Sequence, residues 1–247
     1  MPPAAQTEAP AREKSLDLLS RASGLPLHAY KPEHIDRQVE ATLRSVGAPD
    51  ATEMAAKISR SVASRSRFRR AIAISVSGHL RDPHQFALLR DEVFPEIVQR
   101  EGMIRVWSAG CADGSELYDL GAMLQTAEVL GRSYLLGSDI LDENLVAAKA
   151  KQGRFANPQV RARVRWEQRD LANEAPPPGH WHLILCRNLA IYLRPEVRDE
   201  LHGKLAGALA PGGFLMLGRS ERIGDPTSLN LEPVAPNVYR RRSRSQR

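Results

Sequence analysis

The sequence contains little cysteine, few aromatic residues and no long apolar run. Cys111 and Cys186 are the only cysteines in 247 residues, which argues against a disulfide framework and against a metal site built on CxxC spacing. No stretch approaches the roughly 20 apolar residues of a membrane span, and the N-terminus lacks the pattern of a signal peptide. These absences predict a cytoplasmic protein that holds no metal and inserts into no membrane.

The residues that are present predict a packed core and an acidic partner. Hydrophobic residues make up 42% of the chain, enough for one large domain or for a medium domain with a small one. Aromatic residues make up 5%, so the core should consist mainly of aliphatic side chains. A net charge of +6 favours an acidic partner without deciding between nucleic acid, membrane and protein.

Periodicity divides the chain into four parts. Residues 1–14 are rich in proline, alanine and charge and are predicted to be a disordered tail. Residues 15–90 form a predicted helical domain, in which Asp50 caps one helix and Met54, Ile58 and Val62 share a face of it. Strands and helices alternate over residues 91–240, and residues 241–247 form a basic tail.

The alternating part predicts a parallel, doubly wound α/β sheet. The following elements are predicted: strands Ile104–Ala109, Ser133–Ser138, Val164–Gln168, His182–Cys186, Phe214–Leu217 and Val238–Arg240, and helices Ser115–Leu130, Asp142–Gln152 and Glu196–Ala210.

The first strand, the turn after it and the second strand resemble half of a nucleotide-binding unit. A small-residue turn around Gly110 follows the first strand, and small residues let backbone approach a ligand closely. Asp139 ends the second strand, where a carboxylate can accept hydrogen bonds from both ribose hydroxyls. An adenosine-containing cofactor is therefore expected.

The charges of the turn favour one cofactor over the others. The G-x-G-x-x-G pattern of dinucleotide sites and the phosphate-binding P-loop are both missing. Asp113 and Glu116 stand where a pyrophosphate would rest and would repel it. They suit S-adenosyl-L-methionine, which carries a sulfonium and an ammonium group and no phosphate. The alternative is that both carboxylates only cap the helix.

A second group of polar residues follows the strand His182–Cys186. Arg187 and Asn188 come directly after it, and Tyr192 lies four residues beyond Asn188. Polar residues at the carboxyl end of a central strand face the ligand crevice of an open α/β sheet. Asp170, beyond the preceding strand, can reach the same crevice and accept from the adenine amino group. The alternatives are that Asn188 caps a turn and that Tyr192 packs in the core.

Five ordered motifs resemble those of the chemotaxis receptor methyltransferases, the CheR family. The resemblance runs from about Leu19 to Tyr239, with a helical domain before the methyltransferase domain. The matching stretches are Leu80-Arg81-Asp82-Pro83-x-x-Phe86, Trp107-Ser108-Ala109-Gly110-Cys111 with Gly114-x-Glu116-x-Tyr118, Cys186-Arg187-Asn188-Leu189-x-Ile191-Tyr192, Leu209-x-Pro211-Gly212-Gly213 and Gly218-x-Ser220-Glu221.

The resemblance implies contacts with S-adenosyl-L-methionine and its product S-adenosyl-L-homocysteine. Glu116 should meet the methionine part and Asp139 the ribose. The remaining implied cofactor contacts are Ser75, Ser77, Arg81, Gly110, Asp170, Leu171, Arg187 and Asn188. Arg81 and Tyr192 should also lie near the reacting methyl group, which makes them the catalytic candidates. The chain departs from the family in having Ser75 for an asparagine, and in a short stretch from Gly153 to Trp166.

The implied reaction is methyl transfer to glutamate side chains of a protein. A glutamate is already an anion at neutral pH, so no general base is needed. Arg81 would orient that carboxylate, and Tyr192 would donate a hydrogen bond near the reacting centre. The arginines from Arg60 to Arg70 could contact an acidic substrate such as a chemoreceptor cytoplasmic helix; their alternative is a solvated face.

Two other functions stay open. The first is a methyltransferase for a small molecule or RNA, although nucleic-acid binders interleave aromatic with basic residues and only Phe68 stands among these arginines. The second is a non-catalytic homologue that binds the cofactor or serves as a scaffold.

Overall fold

A computed structural model describes residues 4–73, 82–151 and 157–243 of the chain. The described residues form two compact units. The first, called the helical unit below, comprises residues 4–73 and Tyr192–Arg194. The second, called the sheet unit, comprises residues 82–151, 157–191 and 195–243. Ser75, Ser77 and Arg81, three of the predicted site residues, lie outside the described residues.

The helical unit is the expected small all-α domain. Its core consists of buried aliphatic and aromatic side chains from all four helices, among them Leu19, Ile35, Ile58 and Phe68. The helices are α1 Ala4–Ser23, α2 Pro32–Val46, α3 Ala51–Arg60 and α4 Val62–Ile72, with a short 3₁₀ turn at Leu27–Ala29.

Helix α1 begins at Ala4, inside the stretch of residues 1–14 that composition predicts to be disordered. Packing explains the difference, because Leu16 and Leu19 are buried and stabilise the helix. Arg12 also pairs with Asp36 of α2, with 2.9 Å between Nε and Oδ1.

The junction of α3 and α4 confirms one prediction and corrects another. Asp50 caps α3 as predicted, since its carboxylate accepts from the N–H groups of Thr52 and Glu53 at 2.8 and 2.9 Å. Val62 does not continue the face of Met54 and Ile58: Ser61 is extended there and caps α4, which leaves Val62 78% exposed.

The sheet unit opens with a helical segment, α5 Pro83–Leu88, a π-helical turn at Leu89–Val93, and α6 Phe94–Arg100. Pro95 lacks an N–H group and its ring crowds the carbonyl four residues earlier, so the wider turn lies just before it. Phe86 and Leu89 pack in the core of the sheet unit. For that reason residues 82–90 belong to this unit, whereas the sequence places the domain boundary at residue 90.

Among the described residues, seven strands form one sheet in the order β3-β2-β1-β4-β5-β7-β6. Strands β1 to β5 are parallel, which confirms the predicted doubly wound α/β class. The strands are β1 Ile104–Ala109, β2 Ser133–Asp139, β3 Val164–Gln168, β4 Trp181–Cys186, β5 Leu209–Leu217, β6 Leu231–Ala235 and β7 Val238–Arg241. The helices of this part are α7 Ser115–Thr126, α8 Asp142–Ala150, α9 Pro158–Arg163 and α10 Pro195–Ala208.

The far edge of the sheet is antiparallel, which corrects the expectation of a fully parallel sheet. Strand β7 pairs with β5 and with β6 in antiparallel register. Only two residues separate β6 from β7, and Asn237 adopts a left-handed φ of 64° there. A connection this short can form a hairpin but not a parallel crossover.

Strand β5 begins at Leu209 and not at the predicted Phe214, because Pro211-Gly212-Gly213, which the sequence suggests as the stop of the helix Glu196–Ala210, lies within the strand. The β4–β5 register shifts at this point. A Cβ at Gly213 would lie 2.7 Å from the carbonyl oxygen of Trp181, so only glycine permits this approach of the two strands. Among the described residues, no helix combines the length and the apolar character needed to cross a membrane.

Candidate active site

The carboxyl ends of β1 and β2 meet at the small-residue turn. Gly110 adopts a left-handed φ of 79°, and the N–H groups of Gly110 and Cys111 donate to the carbonyl of Ser138 at 2.8 and 2.9 Å. A Cβ at Gly110 would approach Leu189 Cδ2 at 3.4 Å, so this turn also lies beside the loop after β4. Gly110 thus lies at the carboxyl end of β1, beside the end of β2 and the loop after β4.

Asp139 at the end of β2 is buried and tied to the same turn. Its Oδ2 accepts from the N–H of Ala112 at 2.9 Å. Its Oδ1 accepts from the N–H of Leu141 at 2.9 Å and from the Asn144 side chain at 3.1 Å. These bonds fix the carboxylate between the β1 turn and the start of α8.

Glu116 and Arg187 form the charged centre of the site. Arg187 Nη1 lies 2.6 Å from Glu116 Oε2, and its Nη2 lies 2.6 Å from Asp82 Oδ2. Arg187 Nε donates to Gln85 Oε1 at 3.2 Å, and Ser108 Oγ donates to Glu116 Oε1 at 3.1 Å. One guanidinium therefore joins β4, the first turn of α7 and the residues just before α5.

Asp113 is neutralised by a lysine that sequence reasoning missed. Lys151 Nζ lies 2.6 Å from Asp113 Oδ2, while the N–H and hydroxyl of Ser115 donate to Oδ1. Burial acts to raise the pKa of Asp113, but the bonds from Lys151 and Ser115 outweigh it and hold that pKa below its ordinary value. With Glu116 paired to Arg187, the excess negative charge expected from the sequence is largely compensated.

Asp170 and Leu171 follow β3. The N–H of the neighbouring Arg169 donates to the carbonyl of Asp139 at 3.0 Å, which brings this stretch beside the end of β2. Asp170 Oδ1 accepts from the N–H of Ala172 at 3.0 Å, and Oδ2 accepts from the Asn173 side chain at 2.8 Å. The carboxylate of Asp170 thus shapes its own turn, and Leu171 is buried.

Asn188 follows Arg187 with a left-handed φ of 59°, and a carboxylate supports it. Glu221, only 3% exposed, accepts from the N–H groups of Asn188 and Gly218 with the same oxygen, at 2.7 Å each. Its other oxygen accepts from the N–H of Ile191 at 3.2 Å. Glu221 therefore shapes the loop after β4, a role for which the G-x-S-E motif was the one available signal.

Tyr192 belongs to the helical unit. Its carbonyl accepts from the N–H of Lys31 at 2.9 Å, and its ring lies 4.8 Å from the ring of His34. The two rings are tilted by 39°, the Tyr192 side chain is half-buried, and this ring contact was not expected from the sequence.

Both cysteines lie at this edge of the sheet as buried thiols. Burial raises the pKa of Cys111 well above its ordinary value, and the carboxylates of Asp139 and Glu116 raise it further. Burial likewise raises the pKa of Cys186. Neither side chain is a thiolate at neutral pH.

A family model described as "CheR methyltransferase, SAM binding domain" matches residues 75–160 and 149–235. The chain belongs to the CheR methyltransferase family. This places the carboxyl ends of β1, β2 and β4 in a domain whose cofactor is S-adenosyl-L-methionine, and it makes the chain a methyltransferase by family.

The names of curated relatives support this family assignment. Chemotaxis protein methyltransferase 1 of Pseudomonas aeruginosa is 28% identical over 195 residues, covering 65% of this chain and 71% of that protein. A chemotaxis protein methyltransferase of Listeria innocua is 25% identical over 248 residues, covering 90% and 94%. An uncharacterised 104.1 kDa protein of Rhodobacter capsulatus is 27% identical over 238 residues, and the chain spans a quarter of its length.

The described part of the CheR site fits S-adenosyl-L-methionine. Asp139 presents a fixed carboxylate at the end of β2, suited to ribose hydroxyls. Gly110 keeps the β1 turn free of a side chain, and Leu189 offers apolar surface beside it. Residues 108–116 include no lysine or arginine that would favour a phosphate. The fit rests on the Asp139 carboxylate and on the open turn at Gly110 more than on net charge. Lys151 and Arg187 compensate the charges of Asp113 and Glu116.

Proposed function

We propose that this chain transfers the methyl group of S-adenosyl-L-methionine to glutamate side-chain carboxylates of an acidic protein, in chemotaxis-type signalling. The names of the curated relatives support the protein substrate and the signalling role. The cofactor supplies an electrophilic methyl group on a sulfonium, and a glutamate carboxylate is a nucleophile without prior deprotonation.

The observation that carries this proposal is the state of the two cysteines. Cys111 and Cys186 are the two thiols at the carboxyl edge of the described sheet, and both are buried and have a raised pKa. A relay of the methyl group through a thiolate is therefore disfavoured. An acceptor that is already an anion removes the need for such a relay and for a general base.

The cofactor would be held by residues from three strand ends. Asp139 would accept from the ribose hydroxyls, and the turn at Gly110 would let the cofactor approach the backbone. Glu116, oriented by Arg187, would meet the methionine part. Asp170 and Leu171 would border the adenine together with Asn188, while Ser75, Ser77 and Arg81 would come from the segment outside the described residues.

Catalysis would come from alignment and from exclusion of water. Arg81 would orient the acceptor carboxylate, bidentately where geometry allows. Tyr192 would donate a hydrogen bond near the reacting centre. Its half-buried ring, held against His34, is consistent with a side chain that is fixed on one side and accessible on the other.

The acidic partner is supported by the arginines of α3 and α4, from Arg60 to Arg70. Arg60, Arg67 and Arg70 are exposed. Arg65 donates towards the carbonyl of Ile58, and Arg70 donates to Ser66, so none of these contacts uses a carboxylate. A cationic surface of this kind attracts an acidic helix through screened electrostatics.

The test is a methylation assay with radiolabelled S-adenosyl-L-methionine and a chemoreceptor cytoplasmic fragment. Methyl esters release methanol in base, whereas methylated nitrogen and sulfur do not. We expect volatile, base-labile counts from the fragment with its glutamates and none from a matched fragment in which those glutamates are glutamine. Cofactor binding by calorimetry without any transfer would instead indicate the non-catalytic homologue, and base-stable label on RNA or a small molecule would overturn the glutamate acceptor.

A further inference from the structure

His34 lies on α2, in the core of the helical unit, and is 6% exposed. Its Nε2 lies 3.3 Å from the carbonyl oxygen of Ile72, the last residue of α4. A carbonyl only accepts, so Nε2 carries the hydrogen and donates it. Burial lowers the pKa of His34, which keeps the ring neutral at pH 7. Its Nδ1 finds no hydrogen-bond partner among the residues that the structure describes.

The ring of His34 contacts the rings of two tyrosines. The Tyr30 ring stacks with it at a centroid distance of 5.7 Å and an interplanar angle of 28°. The Tyr192 ring lies 4.8 Å away at 39°. Tyr30 and His34 are buried, whereas Tyr192 is half-buried. The Tyr192 ring therefore packs against the buried His34 imidazole and is partly accessible.

The backbone around Tyr192 is held by the same short stretch of the helical unit. The N–H of Lys31 donates to the carbonyl of Tyr192 at 2.9 Å, and the N–H of Arg194 donates to the carbonyl of Ala29 at 2.9 Å. Tyr30 and Leu193 face each other in an antiparallel bridge. Residues 29–34 therefore hold both the main chain and the ring of Tyr192.

We infer that His34 is a positioning residue that acts through Tyr192, by fixing its ring for the methyl-transfer step. The inference rests on the proposed function for the role of Tyr192 and adds the side chain that orients it. A phenol that donates to a reacting centre must be held within a fraction of an ångström, because small misplacements cost large factors in rate. One backbone hydrogen bond to the carbonyl of Tyr192 and another from the N–H of Arg194 hold the main chain here, and the tilted contact with the His34 ring limits rotation of the Tyr192 ring.

The test compares two substitutions of His34. His34→Leu removes the ring, whereas His34→Phe keeps a planar ring of similar size and loses the bond to Ile72. We expect His34→Leu to lower kcat by about tenfold with KM for the cofactor within about twofold, and His34→Phe to restore most of the rate. Equal rates for the two variants would contradict the role of the ring contact.

A double-mutant cycle tests whether His34 acts through Tyr192. In a Tyr192→Phe background, the loss caused by His34→Leu should shrink to about twofold, because the hydroxyl that the ring contact positions is already missing. A tenfold loss in that background would show that His34 acts through another group and would overturn the inference.

Hydrogen exchange separates this inference from the proposed function. The amides of Lys31 and Arg194 should exchange at least about tenfold faster in His34→Leu than in wild type, while amides in β1 and β4 keep their rates. This measurement does not need a substrate. A wild-type chain that forms no methyl ester would defeat the proposed function, whereas unchanged exchange in His34→Leu would defeat the role of His34 by itself.

Discussion

Arg187 and Glu116 form a charged hydrogen bond of 2.6 Å, although the sequence separates them by 71 positions. Arg187 follows β4, and Glu116 lies in the first turn of α7. The Arg187 side chain is 5% exposed, so the pair is shielded from water and its attraction is little screened. This bond joins the two halves of the site within the sheet unit.

Replacing Arg187 by alanine should destabilise the sheet unit. The variant leaves the carboxylates of Glu116 and Asp82 partly buried without their cation, which costs about 3 kcal/mol in comparable cases. Urea unfolding followed by circular dichroism measures the change. The matched control is Arg198→Ala, whose partner Asp199 is its exposed neighbour, and it should change the unfolding free energy by less than about 0.5 kcal/mol. Equal effects of the two variants would contradict the prediction.

Asp139→Asn should weaken cofactor binding while the fold persists. The amide keeps the shape of the side chain and an oxygen for the N–H of Ala112, but it loses the charge and one acceptor oxygen. Hydrogen bonds to a charged acceptor are worth about 1.5–3 kcal/mol, so the Kd for S-adenosyl-L-homocysteine should rise about tenfold or more. Titration calorimetry checks this, with Asp91→Asn, an exposed carboxylate on the π-helical turn, as a control that should leave Kd unchanged.

Gly218→Ala should be far more destabilising than Gly224→Ala. A Cβ at Gly218 would lie 2.7 Å from both the backbone nitrogen of Asn188 and Oε2 of Glu221, so the loop after β4 would have to move. A Cβ at Gly224 would meet nothing within 4 Å. We expect a loss of about 2 kcal/mol or more for the first variant and a near-neutral result for the second. Thermal melts of both proteins at one pH compare them directly.

Acidification should destabilise the sheet unit through His202. Burial lowers the pKa of His202 below its ordinary value of 6.5, with Arg198 lowering it further and Asp199 opposing. The unfolded chain then takes up a proton before the folded chain does as the pH falls below about 6.5. The unfolding free energy should therefore decrease in that range, by at most about 1.4 kcal/mol per pH unit for this one group.

His202→Leu isolates this contribution. The buried Nε2 of His202 has no hydrogen-bond partner among the described residues, so an aliphatic side chain costs little at pH 7. The variant should flatten the acid side of the stability curve measured by urea unfolding between pH 7 and 5. His84 is exposed, so His84→Asn serves as the control and should leave the pH dependence of the unfolding free energy unchanged. An unaltered slope in His202→Leu would rule out the assignment.

Removing charge from the arginines of α3 and α4 should weaken binding of an acidic substrate. Arg60→Gln combined with Arg67→Gln removes two exposed charges, so KM for the receptor fragment should rise several-fold at low salt. The difference from wild type should shrink at high salt. Arg90→Gln, which is paired with Asp91, is the control. A salt-independent KM in wild type would remove this surface from the proposal.

The core strands and the motif residues were predictable because their signals are local. Alternation and turn chemistry place β1, β3 and β4 to within one residue of their observed bounds. Elements without a local signal were missed. Helix α9 is six residues long, and β6 contains Pro233 and forms at the edge of the sheet. The break between α3 and α4 was missed because Val62 keeps the helical spacing of Met54 and Ile58. The extended backbone of Ser61, which makes the break, leaves no mark on that spacing.

The sequence by itself determined the parallel α/β core, the acid at the end of β2, the polar pair after β4 and the family. Each depends on residues that lie close together along the chain. Tertiary structure alone decided which charges meet: Lys151 pairs with Asp113, Arg187 joins Glu116 to Asp82, and Glu221 supports the loop of Asn188. These partners lie tens of positions apart or more, so only the packing of strands and helices brings them into contact and sets the electrostatics of the site.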